Sequence, residues 1–171
     1  MPTYIAETPR LVLRNSVLDD ADFYSRLLNE PAWLQNIGDP RVKTRADAQQ
    51  YIENKIIASY RTFGFGMYLM TLKDSGEPIG LCGLVKREGL PDPDVGFAML
   101  PEYWGQGYAF EAATAVISFA RNGLGHSRLL AIVKPDNVRS ISLVERLGFR
   151  YQGVHTAASD GQELRLYANE P

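Results

Sequence analysis

The segment Pro101-Glu102-Tyr103-Trp104-Gly105-Gln106-Gly107-Tyr108-Ala109 carries the clearest chemical signal in this chain. Glycine lets the backbone turn tightly and leaves room above it. The first N–H groups of a following helix have no partner inside that helix and point outward. Together these features favour an anion, and a pyrophosphate is the natural occupant. Taken alone, G-x-G reads more plainly as a turn before an ordinary helix. It is not a dinucleotide-binding fingerprint, which would need a glycine where Phe110 stands. No G-K-S/T follows, so this is not a Walker loop. His126, His155 and Cys82 are scattered, without zinc-ligand spacing, so no metal is expected. No Gly-x-Ser-x-Gly elbow points to a hydrolase.

The loop sits between two readable elements. Val95 opens a strand over 95–100, which Pro101 stops. Ala109, Ala112, Ala113, Val116, Ile117 and Ala120 then mark one apolar face of a helix. A short apolar strand follows over 129–133. A strand, helix, strand order of this kind is a crossover that favours parallel neighbours. A helix over about 138–147 comes next, with Asp136 or Asn137 as its cap. Strands over 149–154 and 163–167 complete the chain.

Upstream, residues 10–14 read as a strand. A helix follows Leu18, with Asp19 as its cap and Asp22 at its third position. Glu30-Pro31 ends it. A second helix follows Thr44, with Asp47 as a capping-box partner. Strands over 67–72 and 79–85 form a hairpin across a turn at 73–78. The order is β-α-α-β-β-β-α-β-α-β-β. It predicts a mixed sheet with helices on both faces.

Composition fits that plan. The chain has 171 residues, 45% apolar and 22% charged, which suits one soluble domain over 1–171. The net charge of -2 and the lack of a basic run argue against a direct nucleic-acid partner. One cysteine makes no internal disulfide, and a cytoplasmic location is the simple expectation. The N-terminal residues lack a basic start and a long apolar run, so no signal peptide is expected. No stretch approaches about 18 apolar residues, so no membrane partner is expected either.

With its surroundings the glycine segment becomes more specific. Residues 95–112 resemble the acetyl-coenzyme A binding segment of the GNAT acetyltransferases, and most of all the RimJ/RimL-like branch of ribosomal-protein N-terminal acetyltransferases. Pro135-Asp136-Asn137-Val138-Arg139-Ser140, running on to Gly148-Phe149, resembles that group's second signature. Thr8-Pro9-Arg10-Leu11-Val12-Leu13-Arg14 resembles its opening strand. The resemblance covers roughly 7–153.

The resemblance implies the GNAT acyl-CoA N-acyltransferase fold: an α+β (mixed α/β) architecture on a strongly twisted central sheet. A bulge would splay strand 95–100 from strand 129–133, and the cofactor, acetyl-CoA, would enter the opening. The pantetheine arm would pair with backbone near Met99 and Leu100. The pyrophosphate would lie over the amides of Gly105, Gln106, Gly107, Tyr108 and Ala109. Asn137 would contact the pantetheine region. The reaction is direct transfer, in which a neutral amine attacks the thioester. The wider superfamily has Gln or Arg at the start of the loop. Here that position falls on Glu102 or Trp104, which removes one polar contact.

The same resemblance nominates the proton carriers. Many members place a tyrosine acid where this chain has Val144. The RimJ/RimL-like group uses a serine nearer the helix start, which matches Ser140; a serine there also bonds readily to its own helix backbone. Asp94 stands where the group has a glutamate and is the candidate base; a solvated carboxylate at a strand end is the other reading. Glu111 reads as structural. The aromatic stretch Tyr60 to Tyr68, with Trp33 and Tyr103, would furnish the acceptor wall.

The expected activity is acetyl transfer to a primary amine, either a protein or peptide α-amine or a small molecule. The alternative is a catalytically weak acetyl-CoA-binding protein of regulatory or interaction type. A monomer and a homodimer are both compatible with the resemblance.

Overall fold

The computed structural model describes residues 2–171. Eight strands form one sheet: β1 (Tyr4–Glu7), β2 (Leu11–Arg14), β3 (Met67–Leu72), β4 (Pro78–Val85), β5 (Asp94–Met99), β6 (Leu129–Val133), β7 (Arg150–Thr156) and β8 (Glu163–Asn169). Their spatial order is β1-β2-β3-β4-β5-β6-β8-β7. Every neighbouring pair is antiparallel except β5 and β6. The parallel pair is the one joined by the long crossover helix.

Helices cover both faces, which gives the expected mixed α/β architecture of the GNAT acyltransferase fold. Strand alternation sends Tyr68 and Met70 to one face and Leu69 to the other. On the first face lies α5 (Tyr108–Asn122), which buries Ala112, Ala113, Val116, Ile117 and Ala120. Its alanines let the helix lie close to the sheet. The same core takes in Val144 from α6 (Val138–Arg146). On the second face, Tyr24 and Leu27 of α1 (Ala21–Leu27) and Ala48 of α3 (Arg45–Tyr51) pack on Leu69 and Leu81.

Several local features depart from the sequence reading. Asp19 does not cap α1. A 3-10 turn over Leu18–Asp20 precedes the helix, and Asp20 accepts from the Val17 amide while it pairs with Arg14. The first helix ends at Leu27, ahead of Glu30-Pro31, and Pro31 instead starts another, α2 (Pro31–Asn36), because proline is favoured at a first helical position. The capping box at Thr44 and Asp47 is present. The helix it starts continues through a π-helical segment, Ile52–Ile57, into α4 (Ala58–Phe63). Gly64, with φ of 79°, terminates it. Strand β1 has little apolar pattern and forms by pairing with β2.

Two glycines let strands approach closely beside the later site. A Cβ on Gly83 would stand 2.1 Å from the Gly66 carbonyl oxygen, and one on Gly80 would stand 2.4 Å from that of Ala98. Both obstacles are backbone and cannot rotate away. Gly83→Ala is therefore expected to destabilise the fold by about 2 kcal/mol or more in urea unfolding, as overpacking does. A loss below about 0.5 kcal/mol would show that β3 and β4 separate easily.

Candidate active site

The site begins where β5 and β6 part. Their ladder holds one residue pair, Asp94 with Leu130, supported by the Leu130 amide donating to Pro93 O at 2.9 Å. Beyond it the strands diverge. The pairing of β5 with β4 is regular from Asp94 to Met99, so the bulge that the resemblance implied is absent there. The splay arises from the short β5–β6 ladder.

Strand geometry tells which groups face the gap. The Leu100 amide donates to Ile79 O at 3.0 Å, so Leu100, Ala98 and Gly96 address β4. Val95, Phe97 and Met99 then turn their main-chain groups toward β6. The Met99 carbonyl accepts from the Trp104 indole N–H at 2.9 Å. The main-chain groups of Phe97 and the Met99 N–H have no main-chain partner among the described residues. Leu100 is a correction to the sequence reading. It is 2% exposed and packs in the second core, and its N–H and C=O are both engaged, the latter by the Tyr103 amide.

The glycine loop lies at one end of this gap. Gly105 and Gly107 have φ of 77° and 83°, where a Cβ is strained. Gly107 is the N-cap of α5, and no side chain caps the helix. The first main-chain bond of α5 is the Glu111 amide to Gly107 O, which leaves the amides of Tyr108, Ala109 and Phe110 unclaimed by the helix. Glu111 is structural, as expected. It accepts from Thr8 Oγ1 and from the amide and Nε of Arg10, and so ties the β1–β2 turn to the start of α5. Burial would raise its carboxyl, but those bonds outweigh burial and hold it low.

Three arginines surround the loop, each over an aromatic ring. Arg10 lies 4.2 Å from the Tyr108 centroid, Arg139 4.6 Å from Trp104 and Arg146 4.9 Å from Phe110. Arg10 also donates to Gln106 O at 2.9 Å. The sequence reading noted the missing Gln or Arg at the start of the loop but not these arginines. Each arginine is remote from its ring in sequence or one helix away, so only folding brings them together.

The gap opens into a cleft of roughly 1400 Å³. Its walls include Asp94, Met99, Gly105, Gly107, Ala109, Asn137 and Ser140, which the sequence nominated. Leu100, Gln106 and Tyr108 are not on its walls. Asn137 caps α6, with its Oδ1 accepting from the Ser140 amide at 3.3 Å. Val144 also lines the cleft, 1% exposed, and offers no proton. The wall opposite is built by Trp33 and Ile37 around α2, and by Asn54, Ile56, Ser59 and Phe63 on the π-helical segment and α4. Of the aromatic stretch, Phe63 reaches the cleft, whereas Phe65 and Tyr68 are core and Tyr103 packs between the two clusters. The turn at 157–162 closes the far side; Ser159-Asp160-Gly161 reads as a turn in the sequence, but its place on the cleft, like the helix α2, was not anticipated. Elsewhere, His126 stacks edge-on against Phe65, and burial pushes the Cys82 thiol up to about 12.

Asp94 is not the solvated carboxylate that one reading allowed. It is 2% exposed, and its Oδ2 accepts from Arg87 Nε at 2.9 Å. Burial pushes its carboxyl up to about 6, against the opposing pull of Arg87 and His155. The folded protein thus holds this proton more tightly than the unfolded chain does. Stability falls as pH rises between the ordinary aspartate range and about 6, and the ionised form carries the full penalty above that. Asp94→Asn removes the penalty. The variant is expected to be more stable than the parent at pH 8 by about 1–3 kcal/mol. Melting curves from pH 4 to 8 test this, and the advantage should vanish at the acid end.

The comparisons with known proteins agree with this geometry. The family described as Acetyltransferase (GNAT) domain matches residues 10–150. The uncharacterized N-acetyltransferase YoaA of Bacillus subtilis is 27% identical over 152 residues, covering 88% of this chain and 85% of that protein. An acetyltransferase from Agrobacterium tumefaciens superposes with a TM-score of 0.82 at 25% identity, over 97% of this chain and 94% of its own. RimL, a ribosomal L7/L12 alpha-N-protein acetyltransferase solved with coenzyme A, superposes with a TM-score of 0.82 at 20% identity, over 98% and 97%. With the family model matched over residues 10–150, most of its length, this chain belongs to the GNAT family of acetyltransferases.

Proposed function

We propose that the protein is an acetyl-CoA-dependent N-acetyltransferase of the RimJ/RimL-like branch. The observation that carries this reading is the open β5–β6 fork with an uncapped α5 N-terminus at its mouth. The free edge at Phe97 and Met99 suits the amide-rich pantetheine arm. The unclaimed amides of Tyr108, Ala109 and Phe110 suit a pyrophosphate. Arg139 and Arg146 stand beside them and can neutralise phosphate charge where the loop lacks the family's Gln or Arg. The Nδ2 of Asn137 remains available to the arm, because its Oδ1 serves the cap.

Acetyl-CoA supplies an activated acetyl group as a thioester. Asp94 receives the proton of the incoming ammonium, directly or through water. Ser140 donates a hydrogen bond to the departing sulfur. Asp94 lies deep in the fork, while Ser140 opens the first turn of α6, so the two act from different walls. The acceptor wall is mostly apolar around a buried carboxylate, which suits a neutral or cationic amine. RimL acts on the α-amine of L7/L12, and the shared fold supports a protein or peptide α-amine as the acceptor class here.

Calorimetry with acetyl-CoA tests the cofactor site, with ATP and NAD as controls. Roughly micromolar binding of acetyl-CoA alone is expected. Gly107→Val should abolish it, because a β-branched residue cannot hold φ of 83° without strain. Ser140→Ala should keep binding and lower kcat about 100-fold on an amine substrate. Correctly folded protein that ignores acetyl-CoA would sink the proposal. Binding with no turnover over a broad amine panel would favour the weak, regulatory alternative.

A further inference from the structure

The connection between β4 and β5 carries a residue that neither the sequence reading nor the family match assigns. Arg87 lies seven positions before Asp94 and reaches back to it. Among the ion pairs of the described residues, this one is the most uneven: the Asp94 side chain is 2% exposed and that of Arg87 46%. A pair built for stability gains little from such an arrangement. The carboxylate loses its water, while solvent screens the cation that should compensate it.

We propose that Arg87 is the positioning residue for the base of this reaction: it fixes one oxygen of Asp94 and keeps the carboxylate ionised in the floor of the cleft. The proposal rests on the reading of Asp94 as that base. The contact runs from Nε to Oδ2 alone, not as a two-pronged clamp, so the guanidinium does not claim Oδ1. That leaves Oδ1 for the proton leaving the amine. Both Arg87 and Asp94 line the cleft.

The surroundings leave Arg87 as the main source of charge compensation. Lys86, its neighbour, is tied to the Leu90 carbonyl at 2.8 Å. Strand β6, which faces Asp94 across the fork, has no charged residue between Leu129 and Val133. Strand β4 places Val85 opposite Asp94. From β7, His155 adds a weaker favourable influence without a hydrogen bond. Burial and Arg87 therefore pull in opposite directions on one carboxyl, and their balance sets the pH range in which Asp94 accepts a proton.

Two readouts test this, one independent of any acceptor. The Asp94 carboxyl is followed by carbon-13 NMR titration, its resonance assigned by its loss in Asp94→Asn. In Arg87→Gln its midpoint should rise from about 6 by roughly one to two pH units, the effect of removing an adjacent cation. Arg87→Lys should restore most of the shift. An unchanged midpoint in Arg87→Gln overturns the proposal. The second readout is the pH profile of kcat/KM with a peptide bearing a free N-terminal serine. Its acid limb should move with the NMR midpoint, at an unaltered KM for acetyl-CoA. A uniform fall at every pH would mark Arg87 as merely structural and also overturns the proposal. The reading of Asp94 fails separately: it is wrong if Asp94→Asn keeps the parent rate and its acid limb. If Asp94→Asn abolishes the limb while Arg87→Gln leaves it in place, only the role given to Arg87 falls.

Discussion

Strand β5 bonds to β4 along its length but meets β6 at a single residue pair. Main-chain N–H and C=O groups are strong hydrogen-bonding groups, and leaving them dry and unpaired is costly. A sheet that opens along one seam must therefore keep that seam wet or occupied. The Trp104 indole takes the Met99 carbonyl, and the edge at Phe97 stays open to the cleft. Everything else in the site is arranged around this seam. The glycine loop lies at one end of it, Asp94 at the other, and α6 presents Ser140 along its side.

The two ends use electrostatics in opposite ways. At the loop, helix amides and three ring-stacked arginines gather positive charge without needing a buried cation. Arg10 spends its N–H groups on Glu111 and Gln106 O, whereas Arg139 and Arg146 lie over their rings with no ion pair among the described residues. At the junction, one carboxylate is withdrawn from water and only partly compensated. Burial pushes this carboxyl up to about 6, closer to neutrality than an ordinary aspartate, while Arg87 pulls the other way. That arrangement lowers stability, a pattern common where chemistry rather than packing fixes a residue.

The wall across the cleft has a different construction. The splayed seam lies within the sheet, but the wall opposite comes from α2, the π-helical segment and α4. A π-helical stretch shifts the side chains that follow it relative to a regular helix, and such stretches concentrate at functional sites. Here Asn54 of the segment lines the cleft, and Ile56 lines it while packing with Ile52 in the second core.

The sequence by itself determined most of the elements and the glycine loop before α5. Strand and helix periods are local, and the glycines, the Thr44 cap and the Asn137 cap each act within a few residues. The glycine loop was legible because its signal, positive φ before a helix start, is written in one contiguous stretch. Tertiary structure alone decided which neighbours the nominated residues would have. Leu100 belongs to the core and not to the cleft, because strand alternation and the β4 ladder fix its direction. Asp94 reads in sequence as a strand-end carboxylate, yet the meeting of β5 and β6 buries it, and Arg87 reaches it across the β4–β5 connection. The arginines around the loop come from the β1–β2 turn and from α6. Burial and long-range charge depend on what packs from distant parts of the chain, and no local spacing encodes that.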